Sequence, residues 1–321
     1  MSYRFLAGEP ESSELRRCAG EQLDRAISEL SKGVKSDPVR AVHDARKALK
    51  RERSLLRLGR GSLGSSDRRT INVALRDAGR RLSGARDAEV MIQAVDDLAE
   101  QCAGQLPKKT FDAIRAHLDG QARDARVSLM DSSLTGEVLE ELNALRLGVD
   151  HWRLRSSGWA AIGEGLQRSY ARGRKAYRRA EAEPSVENLH EWRKRAKDLW
   201  YQLRLLKDIS PGTMRGQAKE AHRLSDLLGD DHDLAVLRQS LLTSGAAIPV
   251  DLDSVIALLD HRRAQLQAEA SIVGARLYAE TPKAFTERLR RYWKAWRSEP
   301  QLDEARQPIH LPGRTPVNAA S

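Results

Sequence analysis

Aromatic residues are scarce in this chain, at 5% of its 321 residues. That argues against a surface that stacks successive bases of a single strand. Cysteine is rarer still, with Cys18 and Cys102 alone. Both lie in amphipathic helical contexts, with no disulfide framework and no zinc-ligand spacing, so they read as buried or half-buried free thiols. No stretch approaches the ~20 apolar residues of a membrane span. The start, MSYRFLAGEPESSEL, lacks the apolar run of a signal peptide. These absences lead to the expectation of a cytoplasmic protein. Strand signals are nearly absent too. A Gly-rich phosphate loop, a Ser nucleophile elbow and a CxxC pair are all missing.

What the chain does have is charge. Asp, Glu, Lys and Arg make up 31% of it, interspersed along helical patterns, and the net charge is +10. The pI is about 9.8. Such a balance points to a polyanionic partner: nucleic acid, an anionic membrane or inorganic polyphosphate. Arg exceeds Lys in many segments, and its planar fork suits phosphate oxygens. A hydrophobic content of 40% supports a real core, and the length suffices for one large domain or two ordinary ones.

Helix punctuation divides the chain. A first helix is expected from Glu11 to about Lys32, ended by Gly33. Asp37-Pro38 opens a second, with Pro at its first position, and Gly59-Arg60-Gly61 closes it. A third runs from Asp67 to Ser83, a fourth follows a cap at Asp87, and a fifth runs from Pro107 to about Met130. Ser132-Ser133 and Gly136 flank a short helical piece, and 148–158 reads as a link, with Trp152 and Trp159 as packing residues. The second half retraces the first: a helix from about Trp159 to Ala182, another after Pro184, a stop at Ser210-Pro211-Gly212, and a helix ending at Leu228-Gly229. Helices near 251–279 and 282–297 follow. The Pro-containing tail from 298 is expected to be flexible. The architecture expected is all-α, in two similar helical-bundle halves.

Two of these helices carry the chemistry. In VHDARKALKRERSLLRL, at ~100° per residue, His43, Arg46, Lys47, Lys50 and Arg57 share an arc of roughly 100°, with Arg53 at its edge. Val42, Ala45, Leu49, Leu55 and Leu56 take the other side. LHEWRKRAKDLWYQLRLL repeats the pattern 147 positions later. There His190, Arg193, Lys194, Lys197 and Arg204 form the stripe, opposite Leu189, Trp192, Ala196, Leu199 and Leu203. Cations spaced i, i+3, i+4 and i+7 repel, at a cost of a few tenths of a kcal/mol per pair. Stability alone does not favour them, whereas a multivalent anion removes the penalty and adds charge-assisted hydrogen bonds. The competing explanations are a solvated face or acids on neighbouring helices. Repetition of the stripe favours a duplicated anion-binding device, with the two stripes expected side by side. His43 and His190 open the stripes, as packing histidines or as phosphate contacts. His43-Asp44 and His232-Asp233 are HD pairs, a weak sign of a metal phosphohydrolase. Asp87 and Asp233 read instead as helix caps or partners of stripe arginines. No metal and no cofactor is expected.

These paired motifs resemble the two signature helices of the CHAD family (conserved histidine α-helical domain). LSGARDAEVM, LSDLLGDDHDLAVL and YARGRKAYRRA resemble that family as well, and the likeness covers roughly residues 1–297 as one domain, with halves at about 11–147 and 159–297. The resemblance implies an all-helical fold of two four-helix-bundle-like halves with a basic central groove or pore. It implies non-catalytic binding of inorganic polyphosphate and association with polyphosphate granules. By that resemblance His43, Arg46, Lys47, Lys50, Arg53 and Arg57 line one wall, and His190, Arg193, Lys194, Lys197 and Arg204 the other. Arg172 and Arg174, in YARGR, extend the set. Two positions depart from the pattern: Glu52 stands at an apolar position and points to the core side, and Asp198 replaces the base found at Arg51. Nucleic-acid binding, and a metal-dependent phosphohydrolase, are the alternatives.

Overall fold

The computed structural model describes residues 3–82, 84–129, 132–244 and 248–306. Among them there are eleven α-helices and no strand. The first six are α1 (Glu11–Ser31), α2 (Pro38–Leu58), α3 (Ser65–Arg81), α4 (Gly84–Gln101), α5 (Lys108–Leu129) and α6 (Ser132–Val149). The rest are α7 (Gly163–Ala182), α8 (Val186–Leu205), α9 (Pro211–Ser244), α10 (Leu252–Leu277) and α11 (Pro282–Arg306). The two motif helices start in the same manner. The Asp37 carboxylate accepts from the Arg40 N–H at 3.0 Å ahead of Pro38, and the Ser185 hydroxyl accepts from the Asn188 N–H at 3.3 Å. Each cap satisfies an orphan donor of its helix.

Two apolar clusters hold the fold. The larger joins the inner faces of α1, α2, α7 and α8 to the first half of α9 and to α11, with Trp192 at its centre, 1% exposed. The smaller packs α4 and α5 against the far half of α9 and the first half of α10, through Leu98, Ile114, Leu118, Leu237 and Leu259. α9 and α10 are long enough to take part in both. Cys18 and Cys102 are buried free thiols, and Trp152 is buried.

Two close crossings set the centre. α2 and α8 pack antiparallel. The Ser54 hydroxyl donates to the Asp198 carbonyl at 2.9 Å, and Gln202 Nε2 donates to the Ser54 carbonyl at 3.3 Å and to Ser169 Oγ at 2.9 Å. α7 crosses the end of α2 at Gly165, where a Cβ would collide with the carbonyl oxygens of Arg57 and Leu58. Only the absence of a side chain permits that approach. Gly165→Ala is expected to cost about 1–3 kcal/mol by overpacking, read as a lower Tm in thermal denaturation.

Four expectations are corrected. The helix expected to stop at Leu228-Gly229 continues through it to Ser244. Glycine's helix penalty of about 1 kcal/mol is outweighed by packing on both sides, and Gly229 lies against the Arg193 guanidinium. Asp233 therefore lies inside α9 rather than at its start, so the cap half of its reading is the part corrected, while α4 begins at Gly84 and takes in the backbone of Asp87, whose side chain lies outside the described residues. The supposedly short piece after Ser132 is an 18-residue helix whose buried Val138, Leu142 and Val149 pack on the larger cluster. The last helix runs through Pro300 to Arg306 rather than stopping before the tail; residues 307–321 lie outside the described residues.

Candidate anion-binding groove

The antiparallel packing of α2 on α8 turns both stripes toward one cavity of about 550 Å³. α2 contributes Arg46, Lys50, Arg53 and Arg57, and α8 contributes His190, Arg193, Lys194 and Lys197. A third side comes from α3, through Arg76 and Arg80, and Arg195 joins from α8. Leu49, Leu75, Gly79 and Tyr201 also line it. Ten Arg and Lys side chains thus meet two carboxylates, Glu191 and Asp198, which leaves a large positive excess.

Those two carboxylates are fully engaged. Asp198 receives Arg57 at 3.1 Å and Arg195 at 3.2 Å. Glu191 receives Arg195 at 2.6 Å and Lys194 at 3.8 Å. Arg53 donates from Nε to the neutral Asn72 Oδ1 at 3.1 Å. Burial, then the charges of Arg57, Arg76 and Arg80, pull the Arg53 guanidinium down to about 10 against the help of Asp198. The fold holds these cations together against their mutual repulsion.

His190 sits among them as a neutral ring. Burial, then Lys194 and Arg193, lower it to about 4. Its ring lies 4.2 Å from that of His232 on α9, which is lowered to about 4 by burial, His190 and Arg193. His190 Nδ1 and Arg193 Nε are buried with no hydrogen-bond partner among the described residues. Arg193 Nε, which can only donate, gains from a ligand oxygen, and so does His190 Nδ1 in the tautomer that carries its proton there.

The other expected residues fall elsewhere. Arg172 lines two smaller pockets that share Arg57 and Arg195 with the groove. His43 is half-buried on α2 outside the lining. Lys47 is also half-buried and outside it, its ammonium lowered by burial and then by Arg51. Arg204 lies 5.5 Å from the Trp200 ring, and Arg51 5.9 Å from the Tyr201 ring, so these two aromatics brace cations. Arg174 donates to the Tyr278 carbonyl at 3.2 Å, at the end of α10. Sequence reading missed Arg76, Arg80 and Arg195 as lining residues, and placed His232 only in an HD pair, not beside His190. Arg76 and Arg80 are spaced i, i+4 on α3, a signal that a solvated helix face gives equally well.

The HD pairs do not converge. Asp44 lies 3.8 Å from Arg25, and Asp233 lines a separate pocket with Asp97 and Asp230. Among the described residues no group of three or more His, Cys, Asp or Glu is placed to hold a metal ion, and no helix is long and apolar enough to cross a membrane.

A family model described as CHAD domain matches residues 17–242. Two curated proteins from Mycobacterium tuberculosis, one from strain CDC 1551 / Oshkosh and one from strain ATCC 25618 / H37Rv, both described as uncharacterized, are 28% identical over 251 residues. The match covers 74% of this chain and 47% of each of theirs, so the chain spans about half the length of the curated relatives it matches. Among solved structures, PptA from Streptomyces chartreusis superposes with a TM-score of 0.56 at 14% identity, over 85% of this chain and 100% of that one. That is a likeness of fold.

Proposed function

The chain belongs to the CHAD family, and from that membership we propose that its central groove binds inorganic polyphosphate without turning it over. The observation that carries this reading is the composition of one cavity: ten cations from three helices, and only two carboxylates, each already held by cations. A flexible chain of phosphates lies along α2 and α8, displaces counterions, and takes hydrogen bonds from Arg46, Arg53 and Arg193. Recognition is electrostatic and independent of base or sugar. Retention of the polymer fits a role at polyphosphate granules.

Calorimetric titration tests it. Long-chain polyphosphate should bind far tighter than orthophosphate, because many contacts add on one chain. Arg46→Ala/Arg193→Ala should weaken it by at least tenfold with helical circular dichroism unchanged. Equal affinity for the two ligands sinks the proposal, and so does RNA outcompeting polyphosphate at equal phosphate concentration.

A further inference from the structure

Beside the main groove lies a smaller basin of about 270 Å³ with a different make-up. Arg57 and Arg195 belong to both. Arg68 and Arg69 enter from the start of α3 and Arg172 from α7. An adjoining recess of about 40 Å³ shares Arg57, Arg68, Arg172 and Arg195 with it. To these it adds Arg60, Arg168, Gly165, Ser169 and the ion-paired Asp198 carboxylate. Every cation here is arginine, whereas the groove also uses Lys50, Lys194 and Lys197. The close crossing at Gly165 builds the place: it brings α7 onto the end of α2, so that Arg168 and Arg172, one and two turns on, stand beside Arg57 and Arg60.

Internal neutralisation is partial. Arg60 reaches Glu164 at 2.9 Å, and Arg57 and Arg195 share Asp198. Arg68, Arg69, Arg168 and Arg172 form no ion pair among the described residues, and Arg68 Nε is buried without a partner. Burial, then Arg60, Arg168 and Arg69, lower the Arg68 guanidinium; burial, then Arg195 and Arg57, lower that of Arg172. Like charges thus crowd this end of the groove as well.

The phosphoryl groups of a linear polyphosphate are of two kinds. An internal one offers two non-bridging oxygens and one negative charge. A terminal one offers three and up to two charges. Guanidinium forks grip such oxygens in pairs, and a compact all-arginine basin suits the denser group. We propose that this basin is a distinct subsite for the terminal phosphoryl group of polyphosphate, able to hold a short chain such as tripolyphosphate by itself. The proposal rests on the polyphosphate reading above and adds a polarity to it: one end of the polymer is held at the junction of α2, α3 and α7, and the interior runs along the groove.

The test compares tripolyphosphate, long-chain polyphosphate and long-chain polyphosphate whose ends are capped as amides, by calorimetry. The proteins are the wild type, Arg69→Ala/Arg168→Ala and Arg46→Ala/Arg193→Ala. Arg69 and Arg168 are exposed, so their removal leaves the core intact, and circular dichroism checks it. The basin variant should lose tripolyphosphate affinity by about tenfold or more, while capped long chains bind it and the wild type to within about threefold. The groove variant should show the reverse. Arg168→Lys, which keeps charge but not the fork, should recover only part of the tripolyphosphate affinity. The subsite is overturned if tripolyphosphate binds the basin variant as it binds the wild type, or follows the groove variant instead, while long chains still bind. Failure of long chains to bind the wild type at all overturns the parent reading, a result the first comparison distinguishes.

Discussion

Raising the salt from about 50 to about 200 mM should weaken long-chain polyphosphate binding by roughly a thousandfold or more. The estimate follows from the number of cations. On a nucleic-acid backbone, 6–10 phosphate contacts give losses of about 10³–10⁵ over that range, and ten Arg and Lys side chains line this groove. Their mutual repulsion, which adds to burial in lowering Arg53, is what the polymer relieves, so the gain is largely electrostatic and screened by salt. A plot of log affinity against log salt should be linear. Arg46→Ala/Arg193→Ala should reduce its slope by about two, one for each lost phosphate contact. A slope near zero, from affinities measured across that range, would mean that the groove is not the binding surface.

Replacing Glu52 should change the pH dependence of stability more than any groove substitution. Its side chain is 0% exposed, and neither carboxylate oxygen has a hydrogen-bond partner among the described residues. Burial alone pushes it up from 4.5 to about 8. The folded chain therefore keeps this proton up to about pH 8, whereas the unfolded chain releases it near 4.5. Between those values the folded state binds more protons, so stability falls as pH rises through the window, and below it the contribution is flat. The loss is on the order of a few kcal/mol. Glu52→Met, close in volume and without charge, should raise Tm by several degrees at pH 9 and do much less at pH 4. Thermal denaturation of both proteins from pH 4 to 9 checks this. Parallel curves would show that Glu52 is not the group responsible.

Much of the groove was legible before any coordinates. The 3.6-residue period assigns each side chain to a face of its own helix, and that sufficed to group Arg46, Lys50, Arg53 and Arg57, and likewise His190, Arg193, Lys194 and Lys197. The same arithmetic sent Glu52 and Trp192 inward, where both are buried. Caps and breakers located α2 and α8 nearly to the residue. Glycine was a poorer guide. Gly84 does open α4, but Gly229 sits inside a 34-residue helix, with Arg193 and the surrounding core packed on it.

Periodicity along one helix says nothing of what lies across from it. The sequence by itself determined an all-helical chain, two basic stripes, two buried thiols and an inward glutamate, because local sterics, capping and hydrophobic period act over a few residues. The tertiary structure alone decided that α2 and α8 run antiparallel in contact, that α3 closes the third side with Arg76 and Arg80, that His232 meets His190, and that Arg174 turns away to the Tyr278 carbonyl. Those outcomes rest on contacts between helices: the Ser54–Gln202 hydrogen bond and the side-chain-free crossing at Gly165 join residues more than a hundred positions apart, and none of them leaves a trace in the spacing along a single helix.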